Sequence, residues 1–368
     1  MTALLVCPTE ILNFIFKCLP ASSLHALCRI SKGLRQVAEP LLYSGIELIW
    51  DTLRPPTIIA LLCTLQLRPQ LASLVKKLSL QSPYKVIPPS ISTEGADLHG
   101  FVATILGINA PFLDLWIQES ENRTMDAFVM LLLYFVRNIT NLRLTGAFAR
   151  ENGLLDMMLR ASLFANTADV LPLSHLSSVR SITAEIDNTV VLEWPTYTPN
   201  PSNITTLDLK VLREGHLGRI LATRKNLKTL KWEWSWEPYQ TDGINNHVIN
   251  LHQITADLSF VQGTLESLQL SATVKLEHQD PRPRINGSLK CLEDVRNLRK
   301  LQVPQLGLED LMPKNIRHLT INEDMSRLKE MITWQGRDLF NRLQQCFTLS
   351  LHRSNDQLLG DQLEDLLD

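Results

Sequence analysis

The sequence predicts a mixed α/β chain: three short N-terminal helices, then a long series of strand–helix units that together form an irregular solenoid. Two observations carry this expectation. Apolar residues in the first 44 positions recur at helical spacing, in three groups separated by capping residues and prolines. After them, one short signature returns eight times: an apolar residue, Leu or Ile three positions later, a polar residue, then another apolar one. Its closing alternation is that of a short half-buried strand.

The first helix is expected from Pro8, at its first turn, to about Cys18, with Ile11, Leu12, Ile15, Phe16 and Leu19 as one wide stripe. Ser22 or Ser23 is expected to cap the second, which carries Leu24, Leu27, Cys28 and Ile30. Ser31 is expected to cap the third, with Leu34, Val37, Ala38, Leu41 and Leu42; Pro40 reads as a kink or an end. The strand signatures are Val75–Leu80, Ile139–Leu144, Val179–Ala184, Ile204–Leu209, Leu227–Trp232, Leu265–Leu270, Leu298–Val303 and Ile316–Ile321, with Ile46–Trp50 as an opening strand. Helical stretches are read at Thr57–Leu67, Met125–Asn138, Leu154–Ala165, Val248–Val261 and Leu339–Phe347.

Leu207 and Leu230 are 23 residues apart, Leu268 and Leu301 are 33, and Leu142 and Ile182 are 40. Leucine-rich repeats run about 20–29 residues, so the domain is expected to be leucine-rich-repeat-like and irregular. A flat doubly wound sheet is the alternative; no Gly-rich phosphate loop follows any strand. The resulting division is 1–45 for the helices, 46–350 for the repeats and 351–368 for a tail. The tail carries five acidic residues and Leu359, Leu363, Leu366 and Leu367 on one helical face, so it is either a frayed amphipathic end or a docking segment.

Composition narrows function. Of 368 residues, 36 are basic and 38 acidic, a formal net charge of −2. This balance gives no footprint for nucleic acid or an anionic membrane, and neither is expected as a partner. The longest apolar run, Phe128–Val136, is far below the ~20 residues of a membrane helix. The N-terminus lacks the basic start of a signal peptide. None of the six cysteines forms a CxxC pair, no metal site is indicated, and reduced buried thiols fit the cytoplasm or nucleus. No catalytic or cofactor-binding motif is present. The expectation is a non-enzyme without a cofactor.

The run Cys7-Pro-Thr-Glu-Ile-Leu through Leu19-Pro20, then Cys28-Arg-Ile-Ser-Lys32 and Glu39-Pro-Leu-Leu-Tyr43, resembles an F-box of the type common in fungi. Cys7 stands where the F-box pattern has Leu, and the Trp often found near the second or third helix is absent. The resemblance implies that the helices bind the Skp adaptor and, through it, a cullin in an SCF-type ubiquitin ligase. It assigns adaptor contacts to Pro8, Ile11, Leu12, Ile15, Phe16, Leu24, Leu27, Ile30, Ser31, Lys32 and Leu34. The repeats would then present a protein substrate. Independently, three helices of this size bury too little surface to stand alone, and an uncovered apolar stripe marks an interface.

On the strands, the residues between the Leu positions form a row: Ser79, Arg143, Thr183, Asp208, Lys231, Gln269, Gln302 and Thr320. Their mixture suits a protein ligand, and no Arg cluster indicating a phosphate pocket is seen among them. Trp232, Trp234 and Trp236 alternate along one strand; they either pack in the core or, for Trp234 and Trp236, offer a stacking surface to a substrate. Two Pro-rich segments, 193–202 and 277–286, are expected to avoid regular structure, as solvated insertions or as specificity loops.

Overall fold

The computed structural model describes residues 7–50, 57–82, 91–93, 97–108, 110, 112–149, 154, 157, 178–185, 203–210, 212, 214–222, 224–236, 248–274, 284–287, 292, 294–304, 315–322 and 348–352. The chain divides into two compact units, Met1–Ala184 with Thr198–Asn203, and Glu185–Tyr197 with Ile204–Asp368. The expected boundary at residue 45 therefore falls inside the first unit.

The first unit opens with helices α1 (Thr9–Lys17), α2 (Ala21–Ile30) and α3 (Lys32–Ser44). Pro20, rather than Ser22 or Ser23, stands at the start of α2 and gives no side-chain cap. The Ser31 hydroxyl does cap α3, accepting from the Leu34 amide at 3.2 Å. Pro40 does not end α3, which continues to Ser44. Strand β1 (Gly45–Ile49) follows directly, then α4 (Ile58–Leu67), the single turn α5 (Pro69–Ala72), β2 (Lys77–Gln81), α6 (Leu98–Leu106), α7 (Leu113–Glu121), α8 (Met125–Phe135), β3 (Asn141–Leu144) and β4 (Ser181–Glu185). These four strands pair in parallel and in chain order.

The helices pack on one face of that sheet. Their shared core includes Leu62 and Leu65 of α4, Phe101 and Ile105 of α6, Trp116 of α7, and almost every residue of α8 from Met125 to Leu133, together with Leu48, Leu78, Leu80, Leu142 and Leu144. Trp116 remains satisfied there because its indole N–H donates to the Ala127 carbonyl at 3.0 Å. Gly146 follows β3 with φ +59, and a Cβ there would run into the Ser82 carbonyl, so only glycine fits.

The second unit contains β5 (Thr206–Lys210), α9 (Glu214–Leu221), β6 (Thr229–Trp236), β7 (Val248–Asn250), α10 (Leu251–Leu258), a 3-10 turn at Ser259–Val261, β8 (Ser267–Val274), β9 (Arg284–Asn286), β10 (Lys300–Pro304), β11 (His318–Asn322) and β12 (Thr348–His352). Strands β5, β6, β8, β10, β11 and β12 form a parallel array, again in chain order, while β7 and β9 pair separately.

All eight signature strands are present. The apolar residue that opens each signature is buried in every copy: Val75, Ile139, Val179, Ile204, Leu227, Leu265, Leu298 and Ile316. Three expectations are corrected. Val248–Val261 is not one helix; Asn250 ends a short strand and caps α10, its side chain accepting from the Gln253 amide at 3.2 Å. The helix expected to reach Asn138 stops at Phe135. Arg284–Asn286, within a segment expected to lack regular structure, is strand β9. The helices expected at Leu339–Phe347 and over most of Leu154–Ala165, segment 193–202 and the acidic tail lie outside the described residues.

One ion pair ties the helical module to the repeats within the first unit. Arg68, between α4 and α5, donates to both Glu39 carboxylate oxygens in α3, at 2.9 and 2.7 Å. That hydrogen bonding holds the Glu39 carboxyl below its ordinary value, against an opposing effect of burial. A carboxylate lowered by folding stabilises the protein above its unfolded pKa, and the contribution disappears as pH falls through the lowered value. The Arg68 side chain is 43% exposed, so solvent screens the pair. A Glu39→Gln, Arg68→Ala double-mutant cycle in urea is expected to give a coupling of ~0.5–1 kcal/mol at neutral pH and none at about pH 2.

Candidate functional site

Two surfaces stand out, and the first is the N-terminal module. Leu12, Phe16, Leu24, Cys28, Leu34, Val37 and Ala38 form its core, with Leu19, Leu27, Leu41 and Leu42 packed against it. Arg35 fastens α3 to α2 by donating to the Cys28 carbonyl at 2.8 Å. Burial pushes the Cys28 thiol pKa up, whereas Cys18 is exposed, contrary to the expectation that the early thiols are all buried.

The expected adaptor-contact residues therefore separate into two groups. Leu12, Phe16, Leu24 and Leu34 build the module from inside. Leu27 and Ser31 are half-buried, while Pro8, Lys32, Ile11, Ile15 and Ile30 face outward. Sequence reasoning missed Phe14, the most exposed large apolar side chain of the module at 74%. Its spacing gives it away: Ile11, Phe14 and Ile15 lie at i, i+3 and i+4 and share one face of α1.

The second surface is the outer face of the strands. In the first unit, Glu47, Ser79, Arg143 and Thr183 stand in register. In the second, Asp208, Lys231, Gln269, Gln302, Thr320 and Ser350 do the same. The expected row is thus assembled within each unit, with Arg143 and Lys231 exposed and Asp208, Gln269 and Gln302 half-buried. Lys210 and Glu233 lie beside it at 3.8 Å.

Trp234 does not offer a stacking surface. It is fully buried, as is Trp232 apart from 3%, and the Trp232 indole donates to the Leu212 carbonyl at 2.8 Å. The reason is alternation: both indoles share the inward side of β6 with Leu230. The Trp236 side chain lies outside the described residues.

Two regularities went unread. Four positions before the repeat Leu, asparagine side chains brace the turns: Asn138 donates to the Ser73 carbonyl at 2.9 Å, Asn297 to Gly263 at 2.7 Å and Asn315 to Arg296 at 2.6 Å. Two positions before it come Lys76, Thr140, Arg180, Thr205, Lys228, Glu266, Arg299 and Arg317, lined up along the strand starts of each unit. Aligning the repeats on their Leu reveals both.

A buried carboxyl, Asp257, lies where α9 meets α10. Burial pushes the Asp257 carboxyl up, with Gln253 donating to it at 2.8 Å, and a Cβ at Gly218 would run into that carboxyl. Arg224 is buried, which lowers its guanidinium to about 10. Among the described residues no three His, Cys, Asp or Glu side chains are grouped to hold a metal ion, and no helix is long and apolar enough to cross a membrane.

No protein-family model matches the chain, and no curated protein matches it significantly.

A core role for Trp234 has a measurable signature. Trp234→Ala is expected to cost ~3–5 kcal/mol in urea unfolding. Lys231→Ala, on the opposite face of the same strand, is expected to stay within ~0.5 kcal/mol.

Proposed function

We propose that the chain is the substrate-recognition subunit of an SCF-type cullin-RING ubiquitin ligase. The observation that carries this reading is the face of α1 formed by Ile11, Phe14 and Ile15, which are 51%, 74% and 42% exposed although the module already has a closed core. Apolar side chains left outside a packed core mark a docking surface. The resemblance of residues 7–43 to an F-box supplies the partner, the Skp adaptor, and through it a cullin.

On this reading the remainder of the chain is an irregular leucine-rich-repeat-like solenoid. Parallel strands in chain order and a polar outer face support it. The protein would do no chemistry itself. It would hold a protein substrate beside the charged conjugating enzyme and so raise the effective concentration of a substrate lysine. Such a subunit works in the cytoplasm or nucleus, and Cys7, Cys18, Cys28 and Cys63, none of them in a disulfide, suit those compartments.

Co-expression with the Skp adaptor and a cullin tests the reading. Leu12 is in the core, so a charge there would unfold the module; Phe14→Asp with Ile15→Asp probes the surface. The wild type is expected to co-purify with both proteins. The double variant is expected to lose at least ~30-fold in adaptor affinity with an unchanged melting temperature. Equal binding by the two would contradict the reading. Adaptor without cullin would favour an adaptor-bound scaffold with no role in ubiquitylation.

A further inference from the structure

A basic corner lies at the start of β10 and β11 in the second unit. The Arg299 carbonyl accepts from the amides of Arg317 and His318, at 2.8 and 3.0 Å. Lys300 and His318 are in direct register. Neighbouring strands lie about 4.8 Å apart, so Arg299 sits beside Arg317 and Lys300 beside His318. All four are exposed, as is Arg296, whose carbonyl is gripped by Asn315 at 2.6 Å.

Like charges set opposite one another on adjacent strands destabilise a sheet. Here compensation ends one strand earlier: Glu266 pairs with Lys228 at 2.9 Å and lies close enough to Arg299 to feel its charge. Among the described residues no carboxylate pairs with Lys300 or Arg317. The chain as a whole is slightly acidic, at −2, so this concentration of cations is local. A hydrogen-bonded backbone holds it in place, which makes it a preorganised positive surface.

We infer that this corner docks an acidic segment of a protein partner, whose carboxylates are taken by the Arg299 and Arg317 guanidinium groups with Lys300 and His318 beside them. Arginine favours carboxylates because its planar fork donates two parallel hydrogen bonds. The adjoining positions of the outer face, Gln269, Gln302 and Thr320, offer hydrogen bonds to a peptide. They lack the aromatic platforms on which single-stranded nucleic acid stacks. Identifying the partner as a ubiquitylation substrate rests on the reading above; the docking itself does not, and its test needs no adaptor.

The experiment is fluorescence anisotropy of labelled octaglutamate with the full chain, at low and moderate salt. Wild type is expected to bind it, more weakly as salt rises, and to ignore octaglutamine. Arg299→Glu with Arg317→Glu should weaken binding by ~10-fold or more, whereas Lys76→Glu with Lys77→Glu, the same charge change in the other unit, should shift it less than ~2-fold. Arg299→Gln with Arg317→Gln serves if the reversal disturbs folding, and should lose ~5-fold or more. Equal losses from both double reversals, or equal binding of octaglutamine, would overturn the proposal. So would tighter capture of a thymidine oligonucleotide of matched charge, which would make the occupant a nucleic acid. Octaglutamate binding that tightens ~10-fold on deletion of residues 354–368 would instead assign the corner to the chain's own acidic tail.

Discussion

At the start of six strands, two successive amides donate to one carbonyl of the strand before. Thr140 and Asn141 donate to Lys76, Arg180 and Ser181 to Thr140, Lys228 and Thr229 to Thr205, Glu266 and Ser267 to Lys228, Arg299 and Lys300 to Glu266, and Arg317 and His318 to Arg299. In these six pairs the shared acceptor fixes the register. Side chains alternate with period two, so a slip of one residue would drive Gln269 and Gln302 inward and Leu268 and Leu301 into water. Burial of Leu268 and Leu301, together with Trp232, defends the register energetically, and the register in turn defines what each surface can present.

The surfaces on the strands follow from that constraint. Residues between the Leu positions are aligned into polar rows because their neighbours are locked in the core. Residues just before the strands are aligned along the edge because their own carbonyls are the shared acceptors. The N-terminal module obeys a different rule. Its core is closed by seven side chains, Phe16 the largest of them, and α1 keeps Ile11, Phe14 and Ile15 outside it. In the first unit, the Glu39–Arg68 pair and the direct passage from α3 into β1 hold that module against the first strands.

The strands were the most legible part of the sequence, because each copy of the signature couples a buried apolar residue to an alternating pair three positions later. Helices were less so. The helices α6, α7 and α9 were missed: α6 and α9 carry glycines, and α7 is largely polar at its C-terminal end, which blurs the helical period. Val248–Val261 looked continuous because the apolar spacing hides a change of structure; Asn250, a good capping residue, was the signal. In the module, periodicity located the apolar stripe but could not divide it, because Ile11 and Leu12 are alike until the packing of α2 and α3 chooses between them. The indoles of β6 illustrate the same limit: alternation placed Trp232 and Trp234 on one face, and only the helices packed there make that face the interior.

The proposed function requires the exposed face of α1 to be a docking surface for the Skp adaptor. Hydrogen–deuterium exchange on the full chain, with and without purified adaptor, addresses it directly. Added adaptor is expected to slow exchange in peptides covering Thr9–Lys17 and Ala21–Ile30 and to leave Ser267–Val274 and Lys300–Pro304 unchanged. Protection confined to the strands, or none in α1, would contradict it.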